Sequence, residues 1–149
     1  MGVNTQACTM PALSRTAMFL ARIDRLRALR EFLERFCADA GLGGDQCLRL
    51  NLVLEELFTN TVRHGHRGDS DSPGWLTLSI AGAKVSLTYE DAAPPFNPYG
   101  APPDAPPDMT VKMRKIGGLG VLLTRKLAAS REYAYLYGRN RIRLALNLG

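Results

Sequence analysis

The sequence predicts an α+β fold: a two-layer sandwich in which a mostly antiparallel sheet carries helices on one face. Three observations lead there. Two amphipathic helix patterns follow one another over residues 23–64. Two pairs of strand-like segments, within 75–90 and 131–148, each fold back on a tight turn and so read as antiparallel hairpins. Helix and strand patterns do not alternate one for one, so nothing implies a parallel sheet. The 149 residues are expected to form one domain, 1–149, burying roughly two-thirds of its unfolded surface.

Residues 1–12 show no periodicity and read as a flexible tail; an early strand is expected over Ala12–Leu20. Ile23, Leu26, Leu29, Phe32, Leu33 and Phe36 recur at three- and four-residue spacing, the stripe of an amphipathic helix from Ile23 to Ala40. Gly41, Gly43 and Gly44 stop it. Asp45 then reads as the N-cap of a second helix running to about His64. Residues 65–74 (GHRGDSDSPG) form a turn-rich loop. Trp75–Ala81 and Lys84–Glu90 make the first hairpin, turning near Gly82. Pro94, Pro95, Pro98, Pro102, Pro103, Pro106 and Pro107 exclude regular structure over 92–116. A stretch of that length without structure inside a compact domain often serves as a lid. Leu119–Ala129 reads as a third helix. Arg131–Tyr137 and Arg141–Leu148 are the last hairpin, around the turn Gly138-Arg139-Asn140.

Bulk properties narrow the function. No apolar run approaches the ~20 residues of a membrane span. MGVNTQACTMPALSR lacks a basic segment followed by an apolar core and does not read as a secretory signal. The three cysteines, Cys8, Cys37 and Cys47, show no metal-ligand spacing, and an odd count suits a reducing cytoplasm. The net charge of +5 invites a nucleic-acid reading, with affinity falling steeply with salt. The cations are dispersed, however. Arg22, Arg25, Arg27 and Arg30 mix with Asp24, Glu31 and Glu34, and Arg139, Arg141 and Arg143 alternate along a strand. Solvated faces explain both; an acidic partner or a phosphate-bearing ligand is the sharper alternative.

Three short blocks carry chemistry. On the second helix, Leu50, Val53, Leu54, Leu57 and Phe58 share a broad apolar face. Glu56 and Asn60, one turn apart, project together on the opposite side, near Arg49 and Arg63. This is a solvated pair or a functional one: an Asn carbonyl suits Mg²⁺, and a carboxylate beside it can orient or deprotonate a hydroxyl. Glu55 projects about 100° away, toward the apolar face, so Glu56 is the carboxylate that stands beside Asn60. His64 and His66 lie two apart without an evident third ligand and read as helix-end or loop residues. Asp91, expected just past a strand end, starts the turn Ala92-Ala93-Pro94-Pro95-Phe96-Asn97-Pro98. It is either a turn former or a carboxylate that accepts from an exocyclic amine. Gly117-Gly118-Leu119-Gly120 opens a helix behind Arg114 and Lys115. It is either a hinge or a cradle for phosphate. Neither GxxxxGK[ST] nor GxGxxG is present.

In this order the blocks resemble those of the Bergerat-fold (GHKL) ATPases: gyrase, heat-shock chaperone, histidine kinase and mismatch-repair ATPases. Residues 56–65 are similar to the N box, 91–98 to the first G box and 117–120 to the second. The length and the DxAPPFNP form look most like the anti-sigma-factor serine/threonine kinases of bacterial partner switching. The resemblance spans about 20–148. It implies that Asn60 ligates Mg²⁺, Glu56 is the general base or orients the attacking hydroxyl, and Asp91 binds the adenine amine of ATP. Ala93 would line the base pocket, Gly118 and Gly120 would cradle phosphates, and 99–116 would be the lid. Phe96, Gly117, Leu119, Arg114 and Lys115 complete the implied nucleotide contacts.

The same resemblance implies a STAS-type anti-anti-sigma substrate, a sequestered sigma factor or similar regulator, and a homodimer. A histidine-kinase identity is not expected, since the 149 residues leave no room for a separate dimerisation helix pair bearing a phosphoacceptor His. Three departures stand out: Ala93 replaces the usual glycine, Asn97 an acidic residue, and 99–113 is rich in proline. They keep a second function open, a nucleotide-gated binding module that transfers no phosphate.

Overall fold

The computed structural model describes residues 13–98 and 128–147. The expected tail, the 99–116 lid, the glycine block and the third helix over 119–127 lie outside these residues, as do Arg114 and Lys115.

Strand β1 (Leu13–Leu20) leads through a 3-10 turn (Ile23–Arg25) into helix α1 (Leu26–Asp39). Helix α2 (Gly44–Asn60) follows and continues as a wider π turn, Thr61–Gly65. Strands β2 (Pro73–Ala81), β3 (Lys84–Asp91), β4 (Ala128–Leu136) and β5 (Arg139–Asn147) complete the described elements. All pairings are antiparallel, in the order β1-β2-β3-β5-β4.

Alternation makes one face of the sheet apolar. Leu76, Leu78 and Ile80 on β2, Val85, Leu87 and Tyr89 on β3, and Ile142, Leu144 and Leu146 on β5 are all buried. Against them pack Leu29, Leu33 and Phe36 of α1 and Leu50, Val53, Leu54, Leu57 and Phe58 of α2, in one continuous core. The predicted apolar stripe of α2 is therefore the buried one. Phe19 stacks edge-on to Phe58 at 5.5 Å and lies 5.7 Å from Tyr89. Gly74 makes room for it, since a Cβ there would come within 2.4 Å of the Phe19 ring. The opposite face is polar: Thr16 and Thr77 share a 2.9 Å hydrogen bond, and Arg139 bonds Glu90 at 3.2 Å while lying over the Trp75 ring.

Several boundaries differ from expectation. Gly43, not Asp45, is the N-cap of α2: its N–H donates to Gln46 Oε1 at 2.8 Å, and Asp45 sits in the first turn. The α-helix stops at Asn60 rather than near His64, because the next turn widens, with His66 N–H reaching Thr61 O at 2.9 Å. Asp91 is the last residue of β3 rather than the first beyond it. Ala128 and Ala129 belong to β4, not to a helix end, and the last turn closes at Tyr137-Gly138, so Arg139 and Asn140 are already strand. At Asp91 and at Arg139-Asn140, ladder pairing overrides a turn signal read from composition alone.

Candidate nucleotide site at the end of the sheet

The alternation that buries Val85, Leu87 and Tyr89 carries on to Asp91, and that of Ile142, Leu144 and Leu146 runs back to Asn140. Register sets Asp91 directly opposite Asn140. The core face of the sheet thus ends in a buried polar pair. A buried carboxylate requires donors, and Asp91 has three. Its Oδ1 accepts from Ala93 N–H at 3.1 Å and from Asn140 Nδ2 at 2.8 Å. Its Oδ2 accepts from Thr61 Oγ1 at 2.7 Å.

Thr61 Oγ1 also lies 2.6 Å from Tyr89 Oη and 3.0 Å from Leu57 O. A hydroxyl has one proton. An ionised carboxylate can only accept, so Thr61 donates to Asp91 and Tyr89 donates to Thr61. Burial, and then the nearby Asp91 charge, push the Tyr89 hydroxyl well above its ordinary pKa of 10.0 and keep it a donor. Desolvation likewise raises Tyr133, whose hydroxyl donates to Asn140 Oδ1.

A cleft opens beside Asp91, lined by Leu57, Asn60, Thr61 and Gly65 from the helical side, Tyr89, Asn140 and Ile142 from the sheet, and Ala93, Pro94, Phe96 and Pro98 from the turn. Of the sequence-predicted residues, it brings together Asn60, Asp91, Ala93 and Phe96. Asn60 is not turned away from the fold; it is half-buried on the cleft wall, 60° round the helix from Leu57 by spacing. Its Nδ2 is buried without a hydrogen-bond partner among the described residues. Glu56, one turn earlier, is half-buried and does not line the cleft. Glu55 is bound to Arg30 of α1 at 2.8 Å, so it serves the helix pair. Gly65 and Ala93 meet closely: a Cβ on residue 65 would lie 2.8 Å from Ala93 Cβ. His64 is exposed in the π turn and His66 follows it.

Sequence reasoning missed Thr61, Tyr89, Tyr133 and Asn140. The phase of the strands could have found two of them: Tyr89 and Asn140 are in step with the buried positions on either side of Asp91. Thr61 follows directly from Asn60 in the helix, and no local signal aims it at a residue 30 positions away.

An antiparallel sheet with two helices on one face, and a cleft between helix end and sheet end, define the class: the Bergerat ATPase fold. The chain belongs to the histidine kinase-like ATPase domain family, whose model matches residues 19–146. No curated protein matches the sequence. Among solved structures, the fold is similar to that of the RsbU and RsbW domains of Rv1364c from Mycobacterium tuberculosis, with a TM-score of 0.61 and 17% identity. The match covers 92% of this chain, which spans 33% of that one. No described helix is long and apolar enough to cross a membrane.

Proposed function

We propose that the protein is an ATP-dependent serine/threonine protein kinase of the anti-sigma type. It phosphorylates a Ser or Thr of a STAS-type anti-anti-sigma partner and, as a homodimer, sequesters a sigma factor or similar regulator. The observation that carries the nucleotide part is the Asp91 carboxylate, buried in the cleft lining with three donors on its two oxygens, one fewer than a carboxylate can accept. An adenine amine supplies that donor, with Ala93 and Phe96 against the ring. Membership of an ATPase family supports ATP as ligand. The likeness to a structure containing an RsbW domain and the DxAPPFNP block support the partner-switching role.

Mg²⁺ fits the same wall. The Asn60 amide has a buried end without a partner among the described residues. With its NH₂ toward the cleft the amide would donate to a phosphate oxygen; flipped, it would offer its carbonyl to a hard cation. Among the described residues no three His, Cys, Asp or Glu gather to hold a metal, so the phosphates and Asn60 would hold it. Bound there, Mg²⁺ would neutralise developing phosphate charge. Glu56, a turn before Asn60, orients the acceptor hydroxyl or takes its proton. Gly117, Gly118, Leu119 and Gly120, with Arg114 and Lys115, contact the phosphates in this reading.

Incubation with Mg-ATP and a cognate STAS protein, read by intact mass, tests the proposal. Transfer should occur and fall by about 10²–10⁴ in Glu56→Ala while nucleotide binding persists. No transfer by the unmodified protein, or equal transfer by the variant, removes the kinase assignment. The departures at Ala93, which Gly65 approaches closely, at Asn97 and in the proline-rich 99–113 segment favour a second reading: a nucleotide-gated binder. It predicts partner affinity that changes with ATP or ADP and a partner of unchanged mass.

A further inference from the structure

We propose that Asn140, held from behind by Tyr133, is a positioning residue for base specificity: it orients the Asp91 carboxylate so that a single acceptor position remains open to the cleft. The inference rests on the nucleotide-site reading above and deepens it.

The orientation of the Asn140 amide follows from its neighbours. Its nitrogen faces three oxygens: Asp91 Oδ1 at 2.8 Å, Ala93 O at 3.0 Å and Pro94 O at 3.0 Å. Its oxygen faces two donors, Phe96 N–H at 2.9 Å and the Tyr133 hydroxyl. Flipping the amide would set an oxygen against three oxygens, so only one orientation is tolerable. One side chain, 4% exposed, therefore bridges the Asp91 carboxylate to both ends of the turn that lines the cleft.

A carboxylate offers about four acceptor positions, two on each oxygen. Asn140 and Ala93 N–H fill those of Oδ1, and Thr61 fills one on Oδ2. The position left is on Oδ2. A carboxylate with one vacancy accepts an exocyclic amine and offers nothing to a base that lacks a donor there. Removing the Asn140 amide opens a second position, frees the carboxylate to rotate and releases the 93–96 turn. The preference for the amine should then fade. Tyr133 fixes the amide from the opposite end, and Phe96 N–H lies 3.1 Å from the same hydroxyl. A hydroxyl-to-hydrogen change at Tyr133 loosens Asn140 without removing its donor to Asp91.

The test compares calorimetric affinities for ATP and for purine riboside 5′-triphosphate, which lacks only the 6-amino group. The unmodified protein should prefer ATP by about tenfold or more, the worth of a hydrogen bond to a charged acceptor. In Asn140→Ala the ratio should shrink to about threefold or less, and Tyr133→Phe should give an intermediate ratio. A purely structural role weakens both nucleotides together. A ratio unchanged in whichever variants fold, Tyr133→Phe being the milder, overturns the inference while leaving the ATP site standing. Failure of the unmodified protein to bind ATP overturns the nucleotide-site reading and this inference with it.

Discussion

Asn60 and Glu56 share a helix face in sequence, yet the fold treats them differently. Asn60 reaches the cleft with a buried nitrogen that has no partner among the described residues, and Glu56 stays outside the lining. A buried donor left unsatisfied costs about 1–3 kcal/mol in general, and a bound nucleotide would satisfy this one. Asn60→Ala should therefore weaken Mg-ATP binding by about tenfold or more with little loss of stability, as measured by calorimetry and thermal unfolding. A large drop in melting temperature with unchanged affinity would assign Asn60 to the fold instead. The neighbouring Asp91 shows the limit of local reading. Its type and its place near a strand end are visible in the sequence. Its three donors come from positions 61, 93 and 140, and two of these are 30 and 49 residues away.

At the scale of elements, the cleft is built where three segments stop: the end of α2 with its π turn, the end of β3, and the start of β5. π turns inside helices recur at functional sites because the extra residue re-aims side chains. Here the turn carries Thr61 to Asp91 and brings Gly65 against Ala93. Gly65→Ala should clash at this contact, lowering stability by about 1–3 kcal/mol and reducing ATP affinity. Ala93→Gly in the same chain should restore both. Thermal unfolding and calorimetry of the two single variants and the double variant measure the coupling; additive effects would mean that the two positions do not oppose each other. The helix periods and hairpin alternations were legible because they repeat over several turns or pleats. The ends were less legible. Asp45 loses the N-cap to Gly43, and the pairing of β5 with β3 and β4 claims Asn140 and Arg139 from the turn.

Across the whole molecule, one core joins both helices to the sheet, so a change deep in α2 should be felt globally. Leu54 is fully buried. Leu54→Ala should cost about 2–5 kcal/mol and lower the melting temperature by roughly 2–4 °C per kcal/mol in a domain of this size. A loss below about 1 kcal/mol would mean that the core collapses around the gap. The buried Tyr89 and Cys37 set the alkaline limit. Burial first, then the Asp91 charge, raises Tyr89; burial first, then the Cys47 thiol, raises Cys37. Below their ordinary values of 10.0 and 9.0 both groups stay protonated whether folded or unfolded, and their contribution is fully present. Above those values the unfolded chain ionises first, so stability is lost as pH rises. Melting temperature should fall from about pH 9 upward, with a shallower slope in Tyr89→Phe.

The sequence by itself determined the α+β class, the α2 core stripe, the two hairpins and the identities of Asn60, Asp91 and Ala93 as candidate site residues. All of these rest on local periodicity or on residue chemistry within one short block. Only the tertiary structure decided that Asn60 meets the cleft, that Glu55 belongs to Arg30, and that Thr61, Tyr89 and Asn140 converge on Asp91. Those facts depend on strand register and on helix-to-sheet packing, which join positions far apart in the chain and leave little trace at either one alone.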